Sequence, residues 1–305
     1  MVRVELVTEN CDSSSIYKIE ELASAEVKIR LEFDRIVSAQ SQKSARDELC
    51  SNIRRSLQDF NWICAGQVNL ELLWYLHATQ RQETDKIGDI DNITKPIIDA
   101  LTGEKGLLID DSQIGSMHSF WNSRNHQTEK DVLILRIQFN NDECLKKESL
   151  TFIQYSSAVC LPMNVDFRSM RDILGALAVI MFRRGQRRLA AEFRRQGNDF
   201  DRALVNSTWE FHRTRLGGMD PARIYRLREF LVKCYEHGLT WRLLLSQSKS
   251  LRSSISASKR EDGSTRPSGS GAVSGLIACG SDERDGKDPR CAIARYCDAC
   301  QEATG

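Results

Sequence analysis

Residues 88–113 read GDIDNITKPIIDALTGEKGLLIDDSQ and gather Asp89, Asp91, Asp110 and Asp111 into one short stretch. In extended backbone, alternate side chains face the same way, so Asp89-Ile90-Asp91 points two carboxylates to one side and Ile90 to a core. The pair alone is weak: two acids one residue apart are common in solvated loops, and Asp91 could simply cap a helix. The residues that follow add to it. Asp91, Lys95 and Asp99 are spaced i, i+4, i+8, while Ile93, Ile97 and Leu101 repeat with the same spacing on the other side, which predicts a helix over Asp91 to Leu101. Gly103 is placed to end it, and Pro96 predicts an irregularity near its start. Lys95 on such a face reads blandly as an exposed ion pair worth under ~1 kcal/mol.

The apolar run Leu107 to Ile109 predicts a short strand that delivers Asp110 and Asp111 at its end. If that strand lies beside the helix start, one of these acids joins Asp89 and Asp91. Two carboxylates about 4 Å apart repel by roughly 4 kcal/mol at an effective dielectric near 20, so three together call for a cation. A hard divalent ion answers that need. Mg²⁺ takes oxygen ligands, keeps several waters and bridges to phosphate oxygens, and it can activate a water and stabilise a leaving oxygen. The chemistry that fits is phosphodiester hydrolysis.

The elements that must position these residues are legible in part. Val27 to Phe33 alternates apolar and charged residues as a half-buried strand does, and Val68 to Leu76 and Asp131 to Phe139 read as further strands. Ser44 to Phe60 carries Leu49, Ile53 and Leu57 at helical spacing. The order β, α, β, α, β, β describes an α/β (α+β) domain. From about Asp166 long helical stretches take over: Met170 to Arg195, Ala203 to Arg215, and a third helix started by Asp220 with Pro221 in its first turn. After Ser246 the chain turns to Ser, Gly, Arg and Asp, as a disordered tail does. The expected division is an N-terminal extension 1–25, an α/β domain 26–140, connecting strands 141–165, a mainly helical arginine-rich domain 166–250 and a tail 251–305.

Hydrophobic residues make up 41% and charged residues 28%, an ordinary balance for a soluble globular protein. No apolar run approaches the ~20 residues of a bilayer span, and Met1 to Asn10 alternates charged with apolar residues rather than forming a signal peptide, so no membrane partner and a cytoplasmic location are expected. The net charge of +1 hides an asymmetry, with acids in excess over residues 1–140 and arginines over 166–250. Arg183, Arg184, Arg187, Arg188, Arg194 and Arg195 fall on one predicted helix, with Ile180, Leu189 and Phe193 left to pack. That helix is either an auxiliary DNA-binding face or a solvated helix that meets acids of a partner, and the sequence leaves both open.

Cys11, Cys50, Cys64, Cys144, Cys160 and Cys234 sit within ordinary elements and read as buried thiols rather than as a disulfide framework. Cys279, Cys291, Cys297 and Cys300 share the tail, but only the last pair has zinc-knuckle spacing, so zinc is a poor match. The five histidines form no recognisable ligand pair.

The run Asp89-x-Asp91-Asn92-x-x-Lys95, Asp99-Ala100-Leu101, Gly103 and Asp110-Asp111-x-Gln113 resembles the RusA family of Holliday junction resolvases over about residues 26–140. VSAQSQK at Val37 to Lys43 is a weaker echo, similar to the family's Ser/Gln/Lys loop after its opening strand. The resemblance implies a small mixed sheet with flanking helices. It implies that Asp89, Asp91 and Asp111 are metal-binding catalytic acids and Lys95 a catalytic lysine. Asp110 stands behind Asp111 as a metal ligand, because the first acid of such a pair can hold the turn instead; Asn92 and Gln113 are expected to support the backbone or the ligands. Family members are Mg²⁺-dependent homodimers, with Mn²⁺ a possible substitute, that nick four-way DNA junctions in pairs during recombination and repair, and an isologous dimer supplies two related sites for two related cuts. They are typically small and basic, whereas residues 1–140 here are acid-rich. Two other readings stand beside this one: a non-catalytic branched-DNA or partner-binding module holding a structural ion, and a scaffold whose work lies in residues 166–250.

Overall fold

The structure is a computed structural model that describes residues 2–19, 22–78, 89–125, 129–198 and 210–240. Its first layer follows from alternation. Val27, Ile29, Leu31 and Phe33 on strand β2 (Ser24–Phe33) are all buried, and β2 pairs antiparallel with β1 (Val2–Glu9) in register from Val2↔Phe33 to Glu9↔Glu26. Helix α1 (Lys43–Ser56) and the short strand β3 (Trp62–Cys64) lead to β4 (Val68–Leu76), helix α2 (Ile90–Leu101), β5 (Ile114–Ser123) and β6 (Asp131–Asn140). The sheet runs β1-β2-β6-β4-β5, antiparallel except for the last pair. Because β4 and β5 are parallel, the chain between them must cross over, and α2 is the helix of that crossover. Leu49 and Ile53 of α1 and Ile93, Ile97, Ala100 and Leu101 of α2 share one core with the sheet.

A second layer begins with β7 (Cys144–Lys146), which pairs with β3, and continues through β8 (Leu150–Ser156) and β9 (Val159–Asn164). Helix α3 (Met170–Arg195) follows, then β10 (Phe211–His212), β11 (Ile224–Arg226) and helix α4 (Leu227–Glu236). This sheet has the order β10-β9-β8-β11. A seam was expected near residue 166, yet β10 and β11 return from beyond it to flank β8 and β9, and Met1–His237 form one compact unit. The stretch expected as connecting strands is the centre of that sheet.

Two local expectations need correcting. The helix expected over Ala203 to Arg215 is, at its described end, the strand β10 followed by a 3-10 turn at Arg213–Leu216. Asp220 does cap a turn with Pro221 at its start, but the turn is 3-10 and leads through β11 before α4 begins at Leu227. The 1–25 extension supplies β1, the edge strand of the main sheet.

On α3 the buried face runs Ile173, Ala176, Leu177, Ile180 and Ala190, and Arg183 lies on the same stripe. Arg183 is accordingly buried and donates to Gln186, while Arg187 binds the Tyr155 hydroxyl and the Glu210 carboxylate. Leu189, expected to pack, faces outward instead. Of the six cysteines read as thiols, Cys50 is half-buried and the others are buried. The tail and its four cysteines lie outside the described residues. No helix among the described residues is long and apolar enough to cross a membrane.

Candidate active site

Helix α2 carries the first half of the site. It starts one residue earlier than its polar stripe suggests, so Asp89 takes the N-cap position and Asp91 lies inside the first turn. The extended Asp89-Ile90-Asp91 geometry is therefore replaced by a cap and a turn, since Ile93 N–H already bonds Asp89 C=O at 3.1 Å. The Asp89 carboxylate makes no capping bond, and Asp91 is placed where a negative charge suits the helix dipole. Asp91, Lys95 and Asp99 are exposed while Ile93, Ile97 and Leu101 are buried, as the two stripes predict.

Pro96 sits inside this helix and has a structural consequence. Without an N–H on Pro96, the carbonyl of Asn92 loses its helical partner. It accepts instead from the Ala39 amide at 2.7 Å, which fastens the Val37 to Lys43 loop to the first turn of the acidic helix. At the other end, Arg54 of α1 donates to the carbonyls of Asp99 (2.9 Å), Ala100 (3.3 Å) and Thr102 (3.2 Å), a cation on the negative end of the dipole.

The chain then turns back sharply. Gly103 has φ +90°, a conformation that favours glycine, and its N–H bonds Leu108 C=O at 2.8 Å. Leu107 and Leu108 both donate to the last helical carbonyl, that of Leu101, and a Cβ on Gly106 would stand 1.9 Å from it. Residues 107–109 are thus not a ladder strand; Leu108 bridges to Cys64 and Thr102 only.

Gln113 fixes the corner that follows. Its side chain is buried, its Oε1 accepts from the amides of Ile109 (2.7 Å) and Asp110 (3.1 Å), and its Nε2 donates to the carbonyls of Cys64 (2.9 Å) and Gly66 (2.8 Å). An amide that makes four bonds in a buried site is a clamp, and it sets where Asp110 and Asp111 emerge. Asp110 turns back to accept from the Ser112 amide at 3.1 Å. Burial pushes its carboxyl up, but the Ser112 bonds and the Arg215 guanidinium outweigh this and hold it below the usual range.

The two halves meet at Lys95. Its Nζ lies 2.6 Å from Asp99 Oδ1 and 3.4 Å from Asp111 Oδ2. The Asp99 bond raises the Lys95 pKa, against its partial burial and with help from the Asp99 and Asp111 charges, so the ammonium stays charged and acts as a cation. Arg215, from the turn after β10, places Nη1 3.0 Å from Asp110 Oδ2 and 3.6 Å from Asp111 Oδ1.

The structure therefore joins Lys95, Asp99, Asp110, Asp111 and Arg215; Asp91 stands one turn before Lys95 on the same helix face, and Asp89 is the N-cap residue before it. Among the described residues no group of three or more acidic, His or Cys side chains converges to hold a metal ion, so the closed three-carboxylate centre expected from the sequence is not assembled. The repulsion that was to be relieved by an ion is met by Lys95 and Arg215. The donor chemistry still suits magnesium, which often takes one or two carboxylates and completes its shell with water and phosphate oxygens. Sequence reasoning missed Arg215, which was assigned to a helix; the Lys95–Asp99 bond is the exposed ion pair that the stripe suggested.

No curated protein matches the chain. Residues 20–149, which include every acid of this site and Lys95 but not Arg215, match the family model described as Endodeoxyribonuclease RusA. That match reaches from β2 through β7 and takes in the helix, the clamp and the corner, so this part of the chain is similar to the RusA endodeoxyribonuclease family.

Proposed function

We propose that the protein is a magnesium-dependent, structure-specific DNA endonuclease that resolves Holliday junctions by paired phosphodiester hydrolysis in recombination and repair. The observation that carries this reading is the reach of Lys95 to Asp111, which links that corner acid to the helix face that bears Asp91. Asp91 and Lys95, four apart on that face, have Cβ atoms about 5–6 Å apart, so Lys95 ties Asp111 to the neighbourhood of Asp91.

In this reading Asp89, Asp91 and Asp111 would hold magnesium, or manganese in its place, with Asp110 behind them holding the turn. Bound there, the ion would supply a nucleophilic water and charge neutralisation at the leaving oxygen. Lys95, kept protonated by Asp99, offers its ammonium to a non-bridging phosphate oxygen and to the charge that develops in the transition state. Gln113 keeps the corner acids in register. Two copies related by a two-fold axis would present two such sites to the two strands of a four-way junction.

A second reading is favoured by one finding: the acids already have protein cations as partners, and no three of them converge. It describes a module that grips branched DNA or a protein partner, around a structural ion, without turnover. Incubation of the full chain with a synthetic four-way junction and a matched duplex, in Mg²⁺ and in Mn²⁺, separates the two. Paired nicks in the junction, lost in Asp91→Asn, support the nuclease; junction binding without nicks in either ion leaves the module.

A further inference from the structure

The RusA-matched segment is acid-rich, yet its corner is met by a cation from outside that segment. The geometry is built rather than incidental. Leu216 and Met219, the neighbours of Arg215 along the turn, are buried in one cluster with Ile63, Ala65 and Ile109, so the turn and the corner share a core. Glu104 N–H bonds Gly218 C=O at 3.0 Å, and a Cβ on Gly103 would stand 2.9 Å from that same oxygen, so the two backbones touch at a pair of glycines. Arg213 pins the other side of the turn: its amide bonds Ala158 C=O at 2.7 Å and its guanidinium bonds Gln154 Oε1 at 2.6 Å.

This framework presents a half-exposed guanidinium at the rim of the acids. A guanidinium has five N–H donors, and the nearer contact spends one on Asp110, whose carboxylate already caps the corner turn. Asp111 lies farther, at 3.6 Å, and keeps Oδ2 toward Lys95. An arginine acting as a plug for the catalytic acids would sit squarely on Asp111. This one is anchored on the structural acid and leaves donors facing solvent, an arrangement suited to bidentate capture of a phosphate.

We propose that Arg215 is a phosphate-contacting residue of the nuclease site, supplied in cis by the chain that follows the RusA-matched segment, and that it receives the DNA backbone beside Lys95. The proposal rests on the nuclease reading for its catalytic consequence, while its DNA contact stands apart from turnover.

The test uses the full chain, Arg215→Ala and Arg215→Lys, each checked for an unchanged unfolding midpoint. Junction binding is measured without divalent ions across a salt series, and nicking is measured in Mg²⁺. Loss of one phosphate contact should lower the slope of log K against log salt by about 0.9 in Arg215→Ala. Arg215→Lys keeps the charge and the slope but loses the fork. Nicking should fall about tenfold or more in Arg215→Ala, and less in Arg215→Lys. An unchanged salt slope, or nicking in Arg215→Ala equal to or faster than the parent, overturns the proposal in favour of a plug. If the parent binds the junction without nicking it, the nuclease reading falls and the slope alone decides Arg215; a parent that does not bind sinks both. Should Arg215→Ala not fold, Arg215→Lys with the slope intact and nicking reduced carries the support, and Arg215→Lys with unchanged nicking overturns it.

Discussion

Replacing Gln113 by Leu removes the clamp while keeping nearly the same volume. Two amides, those of Ile109 and Asp110, lose their acceptor, and two carbonyls, those of Cys64 and Gly66, lose a donor. A buried donor left without a partner costs about 1–3 kcal/mol, so the two amides together contribute roughly 4 kcal/mol at the middle of that range; orphaned carbonyls are borne more easily. Burying the leucine offsets up to about 2 kcal/mol of this, leaving a net loss of about 2–4 kcal/mol. With an m-value of about 2 kcal/mol/M, the urea midpoint should drop by about 1–2 M. Nicking should fall further than stability explains, because an active-site displacement of about 1 Å can cost on the order of a hundredfold in rate. Gln113→Glu sharpens the test: it keeps the acceptor but aims a carboxylate at two carbonyl oxygens. Its loss at pH 7 should partly reverse in mild acid, where protonation restores one donor. A Gln113→Leu midpoint within about 0.3 M of the parent, with full nicking, would refute the clamp.

Pro96→Ala returns an N–H that competes with Ala39 for the Asn92 carbonyl; hydrogen exchange at Ala39 should speed up while global stability holds or rises. Arg187→Ala should cost about 3 kcal/mol by leaving Glu210, whose side chain is only 7% exposed, without its cation and with the Tyr155 hydroxyl still donating to it, whereas loss of the exposed Arg195–Glu192 pair should change the urea midpoint little. Burial pushes the Lys147 ammonium down to about 8, against the pull of Glu104. Its unfolded value is near 10.4, so the unfolded chain binds more protons between those two pH values and stability should rise with pH across that window. Lys147→Met should remove that slope and raise the urea midpoint at pH 7.

What was legible in the sequence was whatever local periodicity or local chemistry decides. The alternation of Val27 to Phe33 and the opposed stripes of α2 gave strand and helix with their buried faces, because burial imposes a period of 2 or 3.6 on the chain. The alternation of Val2 to Glu9 also marks a strand, although it was weighed only against a signal peptide. Arg183 and Arg187 defeat the same logic: charged residues continue an apolar stripe and are buried because Gln186, Tyr155 and Glu210 receive them, partners the helix spacing does not name. Arg215 is a contact between residues 105 apart in a segment without periodicity, and only the tertiary fold could reveal it.

That long-range contact changes how the RusA-matched segment can be tested. Cutting the chain near residue 165 is the obvious way to divide a nuclease from whatever follows it. The cut would remove Phe211, Leu216 and Met219, all nearly fully buried, from the cluster around Ile63, Ala65 and Ile109. At roughly 1.5–3 kcal/mol for each large apolar side chain, this forfeits about 5–9 kcal/mol, comparable to the whole stability of a typical domain. It would also bare Ile109, whose amide is the first bond of the Gln113 clamp. A truncated chain that fails to nick would therefore report a collapsed corner rather than an inactive domain. Point changes on the exposed face, Asp91→Asn and Arg215→Lys, leave that core intact and are the variants whose loss of nicking can be attributed to chemistry.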